Sequence, residues 1–185
     1  MVRGKSVVDL GSGTGVTSVA AAILGARRVI CTDGEAKVVQ LAKDNIAHAR
    51  SEIEINKKPR ENLGKTDGVV IQNCQLETQE LWWGRDRIDA RDFDTDLVIV
   101  ADCVLPKLYP IAPLVQAIDE LLVKPASMAL ISYEHRYFPD YDPRDKFKAL
   151  ATDRGMVVEL VPIKEHDPVY SVDDIEIWKV YRAKS

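Results

Sequence analysis

No apolar run in the 185-residue chain reaches the roughly 18 residues needed to cross a bilayer. There is no excess of positive charge either: the formal net charge is -4, which disfavours sequence-independent binding to nucleic acid. Cysteine is scarce. Cys31, Cys74 and Cys103 lie far apart with no CxxC pair, which argues against a zinc knuckle or a disulfide framework and for a reducing compartment. The expectation is a cytoplasmic protein, with the nucleus also open to it, that binds no membrane, no nucleic acid and no metal. Internal repeats and low-complexity tracts are also missing. What is present is ordinary globular material, 46% hydrophobic and 29% charged, enough for a core and for a single domain over 1–185.

Near the start, Arg3 and Lys5 precede an apolar stretch, as in a secretory signal. Asp9 and the glycines of GSGTG interrupt it, so the stretch reads as a first strand. Further β-branched runs follow, giving strand candidates at 6–10, 28–33, 69–74, 97–101, 128–133, 156–161 and 175–181. The first and fourth are almost wholly apolar, as in parallel strands covered on both faces. The last mixes charge with apolar residues and suits an antiparallel strand near an edge.

Helical spacing fills the gaps. Val16, Val19, Ala20, Ile23 and Leu24 form one apolar stripe, with Gly25 as its stop. Val39, Ala42, Ile46, Ala49 and Ile53 form a second. Ile111, Leu114, Val115, Ile118, Leu121 and Leu122 form a third. Asp142 before Pro143 reads as an N-cap and a first-turn proline, and Gly155 closes that helix. The polar stretch 54–68 reads as a surface loop. Strand–helix alternation predicts an α/β, Rossmann-like fold. Its sheet is doubly wound, seven-stranded and mostly parallel, with an antiparallel last strand and helices on both faces. Ligands then bind at the carboxyl ends of the strands, here the loops after the first, second and fourth.

The strongest local signal is VVDLGSGTG, 7–15, running strand, glycine loop, helix. A dinucleotide fingerprint, GxGxxG, would need glycine at position 16, where the chain has Val16. GxGxG after a strand carrying an acid, Asp9, is instead the pattern of S-adenosyl-L-methionine binding. In that pattern the backbone of the loop faces the amino-acid end of the cofactor; the alternative is merely a tight strand–helix turn. Asp33 ends the second strand 18 residues after Gly15. There it can accept both hydrogen bonds of a ribose diol, or simply cap the helix behind it.

Weaker signals follow. Trp83, in Leu81-Trp82-Trp83-Gly84, could wall an adenine, although adjacent tryptophans more often serve as core and surface anchors. Asp102 sits just past the fourth strand, in Ala101-Asp102-Cys103-Val104-Leu105, where a methyl group would be presented, or it is simply a loop-starting acid. Glu134-His135-Arg136 reads as an ion pair more than a substrate rim. His48 and His166 read as solvated. His166-Asp167-Pro168-Val169-Tyr170 has a surface likeness to a base-methylating (D/N)PP(Y/F) motif. It lacks the second proline and follows the wrong strand.

Taken in order, the glycine loop, Asp33, Leu81-Trp82-Trp83-Gly84, Ala101-Asp102-Cys103-Val104, Tyr133-Glu134-His135-Arg136 and the tail from Lys164 through Ile175 resemble the seven-β-strand protein-lysine methyltransferases. The likeness is strongest to the branch acting on the AAA ATPase valosin-containing protein. The resemblance implies an S-adenosylmethionine-dependent protein-lysine methyltransferase acting on a protein that presents a lysine; the chain itself is expected to be a monomer. It implies that Gly11, Ser12 and Gly13 hold the methionine part, Asp33 the ribose and Trp83 the adenine. Ala101 would touch the cofactor through its backbone. Asp102 would stand beside the target lysine, as the first residue of the family's Asp-x-x-Tyr element, whose Tyr is Leu105 here. The family also carries a segment before the first strand, with a tryptophan that closes over the cofactor. Its absence here is expected to reflect truncation. A small-molecule N- or O-methyltransferase and a catalytically inactive binding module of the same fold are the competing readings.

Overall fold

The computed structural model describes residues 1–55, 74–105, 108–136, 139 and 142–183, with the side chains of 52–55 set aside. Two compact units divide the chain, Met1–Leu81 and Trp82–Ser185.

In the first unit, β1 (Ser6–Leu10) leads into α1 (Val16–Ile23), β2 (Arg28–Asp33), α2 (Ala36–Ile55) and β3 (Gln75–Glu80). The strands are parallel in the order β3-β2-β1, with Ser6 opposite Arg28 and Arg28 opposite Gln75. Every residue of β1 is buried, including Ser6 and Asp9. That matches its largely apolar run, because a strand covered on both faces has no solvent side to alternate; the two polar side chains, Ser6 and Asp9, are buried with the rest. The third strand departs from expectation. It is Gln75–Glu80, not 69–74; Cys74 lies outside any strand, and 69–73 lie outside the described residues. QLETQE alternates weakly and is mostly polar, as an outer strand with one neighbour permits. Glu54 and Ile55 belong to α2, and the rest of the expected loop is likewise outside the described residues.

α1 also differs. Its buried face is Ser18, Ala21 and Ala22, whereas Val16 is 70% and Leu24 58% exposed. Small residues let this short helix approach β1 and β2 closely, so its largest side chains point to solvent. In α2, Ala42 and Ile46 are buried as the periodicity predicts.

The second unit contains α3 (Ala90–Phe93), β4 (Leu97–Ala101), α4 (Ile111–Leu121), β5 (Met128–Glu134), α5 (Pro143–Asp153), β6 (Met156–Leu160), a 3-10 turn at Ile163–Glu165 and β7 (Ile175–Arg182). Strand order is β4-β5-β7-β6. β4 and β5 run parallel, and β7 is antiparallel to both of its neighbours. All six apolar residues expected to face inward along and just past α4 are buried. Asp142 caps α5 by accepting from the Arg144 amide at 2.8 Å, with Pro143 at its first turn. Trp178 of β7 is fully buried, stacked on Tyr133 at 4.9 Å and packed against Phe147 at 5.4 Å. Its indole N–H donates to Glu176 at 2.6 Å, so this large side chain enters the core without an unpaired polar atom.

Candidate active site

The loop between β1 and α1 has three glycines in the left-handed region: Gly11 (φ 69°), Gly13 (φ 55°) and Gly15 (φ 83°). Two of them need glycine for different reasons. At Gly15 a Cβ would lie 3.3 Å from the Ala42 Cβ and 3.6 Å from the Cys31 Sγ, so this glycine packs α2 against the loop. At Gly13 a Cβ would project into open space. No packing excludes a side chain there, and the bare backbone leaves an approach for a ligand. Gly15→Ala is therefore expected to cost about 2–4 kcal/mol of stability through positive φ and overpacking. Gly13→Ala is expected to cost about 1 kcal/mol but to weaken S-adenosylhomocysteine binding by more than about tenfold. Thermal melts and calorimetry on the two variants check the contrast.

The loop is braced from below. The Ser12 amide donates to the Thr32 carbonyl at 2.9 Å, and the Gly15 amide donates to the Ser12 carbonyl at 2.9 Å. The Cys31 thiol donates to the Ser12 hydroxyl at 3.0 Å. The Asn45 side chain donates to the Thr14 carbonyl at 3.0 Å. Asp33 reaches across from the tip of β2. Its Oδ2 accepts from the Gly13 amide at 3.1 Å and its Oδ1 from the Glu35 amide at 3.2 Å. The capping reading of this acid is observed, and a contact with the Gly13 amide accompanies it. It caps the turn into α2, and it is fastened to the glycine loop. A carboxylate has about four lone-pair sites, so two remain for a ribose diol.

Asp9 is almost completely buried. Thr17 and Ser18 both donate to its Oδ2, Ser18 at 2.7 Å, while its Oδ1 has no partner. Burial pushes the carboxyl above its ordinary pKa; the Thr17 and Ser18 hydrogen bonds act in the opposite direction, and the nearby Asp33 charge adds to the rise. The orphaned oxygen, the open approach at Gly13 and the Asp33 carboxylate are together what an amino-acid nucleoside with a cationic end would use, so these residues fit S-adenosylmethionine. The raised pKa also sets a sign. The folded state holds the Asp9 proton more tightly than the unfolded chain, so the Asp9 contribution to stability is greatest in acid. It is lost as pH rises from the ordinary carboxylate range through the higher folded value. Asp9→Asn should therefore melt higher than wild type at pH 7, with the difference vanishing near pH 3. It should also bind S-adenosylhomocysteine more weakly. Melting curves at the two pH values check it.

In the second unit, Trp83 and Tyr109 meet at a ring-centroid distance of 5.7 Å, tilted by 50°. The Trp83 indole N–H is buried without a partner. Gly84 follows with φ 73°, and a Cβ there would sit 3.1 Å from Pro113, which fixes how the loop leaves Trp83. Ala101 ends β4. Asp102 follows at φ 54°, left-handed for a residue other than glycine, with its amide donating to the Ser132 carbonyl at 3.2 Å. Its Oδ2 accepts from Arg136 Nη2 at 2.9 Å, and the same guanidinium nitrogen donates to Glu134 Oε2. The cluster therefore carries two carboxylates on one cation, held between the ends of β4 and β5. Strained backbone of this kind concentrates where a side chain must be aimed.

Several of these features escape sequence reading. The sequence points to an ion pair at Arg136, and the structure has one, joining it to Asp102 as well as to its neighbour Glu134. Tyr109, four residues beyond Leu105, carried no spacing signal. The Thr17 and Ser18 hydroxyls under Asp9 could be found only from the helix register. Among the described residues there is no cluster of three His, Cys, Asp or Glu able to hold a metal, and no helix long and apolar enough to cross a membrane. His166 is part-buried, with a ring nitrogen 3.2 Å from the Val161 carbonyl. His48 is exposed on α2.

Known proteins resemble this chain over different shares of its length. The protein N-terminal and lysine N-methyltransferase EFM7 of Gibberella zeae is 25% identical over 98% of this chain and 69% of its own length. The calmodulin-lysine N-methyltransferase of Arabidopsis thaliana is 27% identical over 96% of this chain and 48% of its own. The ribosomal protein L11 methyltransferase of Myxococcus xanthus is 37% identical, but over only 40% of this chain and 26% of its own. The chain thus spans about a quarter to about two thirds of these relatives. Among solved structures, a ribosomal protein L11 methylase from Lactobacillus delbrueckii covers the whole chain and 73% of its own, with TM-score 0.61 at 17% identity. The magnesium protoporphyrin IX methyltransferase of Synechocystis, crystallised with S-adenosylmethionine, covers 98% of this chain and 72% of its own, with TM-score 0.58 at 18% identity. This likeness shows the fold: the Rossmann-like α/β architecture of class I methyltransferases, with seven strands of which the last is antiparallel. A family model for lysine methyltransferases matches residues 1–150, and the chain belongs to that family of S-adenosylmethionine-dependent enzymes.

Proposed function

We propose that the chain is a protein-lysine N-methyltransferase, moving a methyl group from S-adenosyl-L-methionine to the ε-amine of a lysine on another protein. The observation that carries the cofactor half is the Gly13 amide held against Asp33, beside an open approach where a Cβ would stand. The family match supports lysine as the acceptor. The EFM7 and calmodulin-lysine relatives support a protein as its carrier. On sequence resemblance, an AAA ATPase or a chaperone-like protein is the first substrate to assay. We place the enzyme in the cytoplasm, with access to the nucleus. Cys31, Cys74 and Cys103 form no disulfide, which fits a reducing compartment.

In this reading Gly11, Ser12 and Gly13 hold the methionine end through main-chain groups, Asp9 faces its ammonium and Asp33 clasps the ribose. Trp83 walls the adenine, and Ala101 contributes its backbone. When bound, the cofactor supplies an electrophilic methyl on a good leaving group. The protein therefore mainly positions the partners and excludes water. The barrier lies in the nucleophile. A lysine of pKa about 10.4 is neutral in roughly one molecule in 2,500 at pH 7, equivalent to about 4.6 kcal/mol. A desolvated approach lowers that cost by disfavouring the ammonium. Asp102, aimed by Arg136, orients the amine and takes up its proton through water.

The experiment is transfer of labelled methyl from S-adenosylmethionine into a cell lysate, with mass spectrometry of the modified bands. Methyl-lysine in a protein band supports the proposal. Label found only in small molecules refutes it.

A further inference from the structure

Large apolar side chains exposed to solvent are ordinary when scattered, but here they are not scattered. Of the fifteen such residues among those described, six lie within 160–175: Leu160, Ile163, Val169, Tyr170, Val172 and Ile175. Tyr170 is 84% exposed and Val169 76%. The segment is fastened along its length. The Glu165 amide donates to the Pro162 carbonyl at 2.8 Å, and Lys179 lies 3.6 Å from the Glu165 carboxylate. Asp167 Oδ1 accepts from the Val169 amide at 2.8 Å and the Tyr170 amide at 3.3 Å. The Ser171 amide donates to the Asp167 carbonyl at 3.0 Å. The turn thus presents two apolar side chains on a fixed backbone, so a partner would lose little entropy in ordering it. At the far end the Asp174 carbonyl accepts from the His135 amide at 2.8 Å. That anchor lies between Glu134 and Arg136, the two residues joined to each other beside Asp102.

Charge selects the occupant. From Ile163 to Asp174 the segment holds Glu165, Asp167, Asp173 and Asp174 against Lys164 alone. A second copy of the chain would bring the same acidic face and a net charge of -4, and an anionic lipid or nucleic-acid surface would be repelled likewise. A basic peptide with apolar side chains would be attracted and would cover Val169 and Tyr170. We propose that 160–175 is the docking surface for a basic, apolar-containing segment of the protein that carries the target lysine, leading that lysine toward Asp102. The proposal rests on the protein-lysine methyltransferase reading and extends it to substrate choice.

The test measures binding alone. Two fluorescein-labelled 15-residue peptides, each with one central lysine, are titrated with the full chain by fluorescence polarisation. One is flanked by arginine, leucine and phenylalanine, the other by glutamate and serine. The basic peptide is expected to bind at least about tenfold more tightly than the acidic one, and to weaken as salt rises. Tyr170→Ala should weaken it about tenfold. The Asp173→Asn, Asp174→Asn pair should weaken it about threefold. All three positions are exposed, so the variants should melt like wild type. Failure of the basic peptide to bind, equal binding of the two peptides, unchanged binding by the variants, or sedimentation as a dimer that Tyr170→Ala dissolves would overturn the proposal. Calorimetry with S-adenosylhomocysteine and the lysate assay on the same preparations report on the methyltransferase reading separately.

Discussion

Replacing Asp33 by alanine is expected to raise the dissociation constant for S-adenosylhomocysteine by about 100-fold or more, measured by isothermal titration calorimetry. Two effects combine. A ribose diol loses two hydrogen bonds to an ionised acceptor, each worth about 1.5–3 kcal/mol. The Gly13 amide, held by the same carboxylate at 3.1 Å, loses its partner, so the loop that meets the amino-acid end is no longer fixed. The cost to stability should be smaller, about 1 kcal/mol, because the Glu35 amide loses only a capping acceptor. Asp33→Asn keeps one acceptor oxygen and should fall between, near tenfold. If Asp33→Ala bound the cofactor as wild type does, the carboxylate would be a cap for α2 and nothing more.

The second large effect concerns Asp102. Asp102→Asn should reduce methyl transfer by about 100-fold or more while leaving S-adenosylhomocysteine affinity within about twofold. Asparagine suits the test because it tolerates the left-handed backbone observed at φ 54°. Alanine there would add about 1 kcal/mol of strain and confuse stability with catalysis. Glycine should do the reverse, stabilising the protein by up to about 1 kcal/mol while abolishing turnover. Such a trade-off is expected where backbone strain aims a functional side chain. Arg136→Met should slow turnover by about tenfold, because Asp102 would lose the donor that orients it, and Arg136→Lys should restore part of it. Normal turnover in Asp102→Asn would remove this residue from the chemistry.

How much of this was legible beforehand depended on what each residue answered to. The first-unit site was readable because backbone geometry dictates it. Three left-handed positions in five residues demand glycines, and a strand tip that must meet them carries an acid. α4 was readable because its face is buried to one side at helical period. α1 was misread, since its close approach selects Ser18, Ala21 and Ala22 for small size, while periodicity rewards the larger Val16, Ile23 and Leu24. β3 was misplaced because an outer strand needs little apolar character, and QLETQE looks like a loop. The Asp102–Arg136–Glu134 cluster joins residues 34 apart in sequence, which no local spacing announces. Likewise the pairing of Trp83 with Tyr109 depends on two loops meeting.

The most direct test of the central claim is a crystal structure of the chain grown with S-adenosylhomocysteine. The account predicts a ribose diol on the Asp33 carboxylate and an amino-acid end along the main chain from Gly11 to Gly13, with its ammonium toward Asp9. Ligand density away from Asp33 and the glycine loop would contradict it.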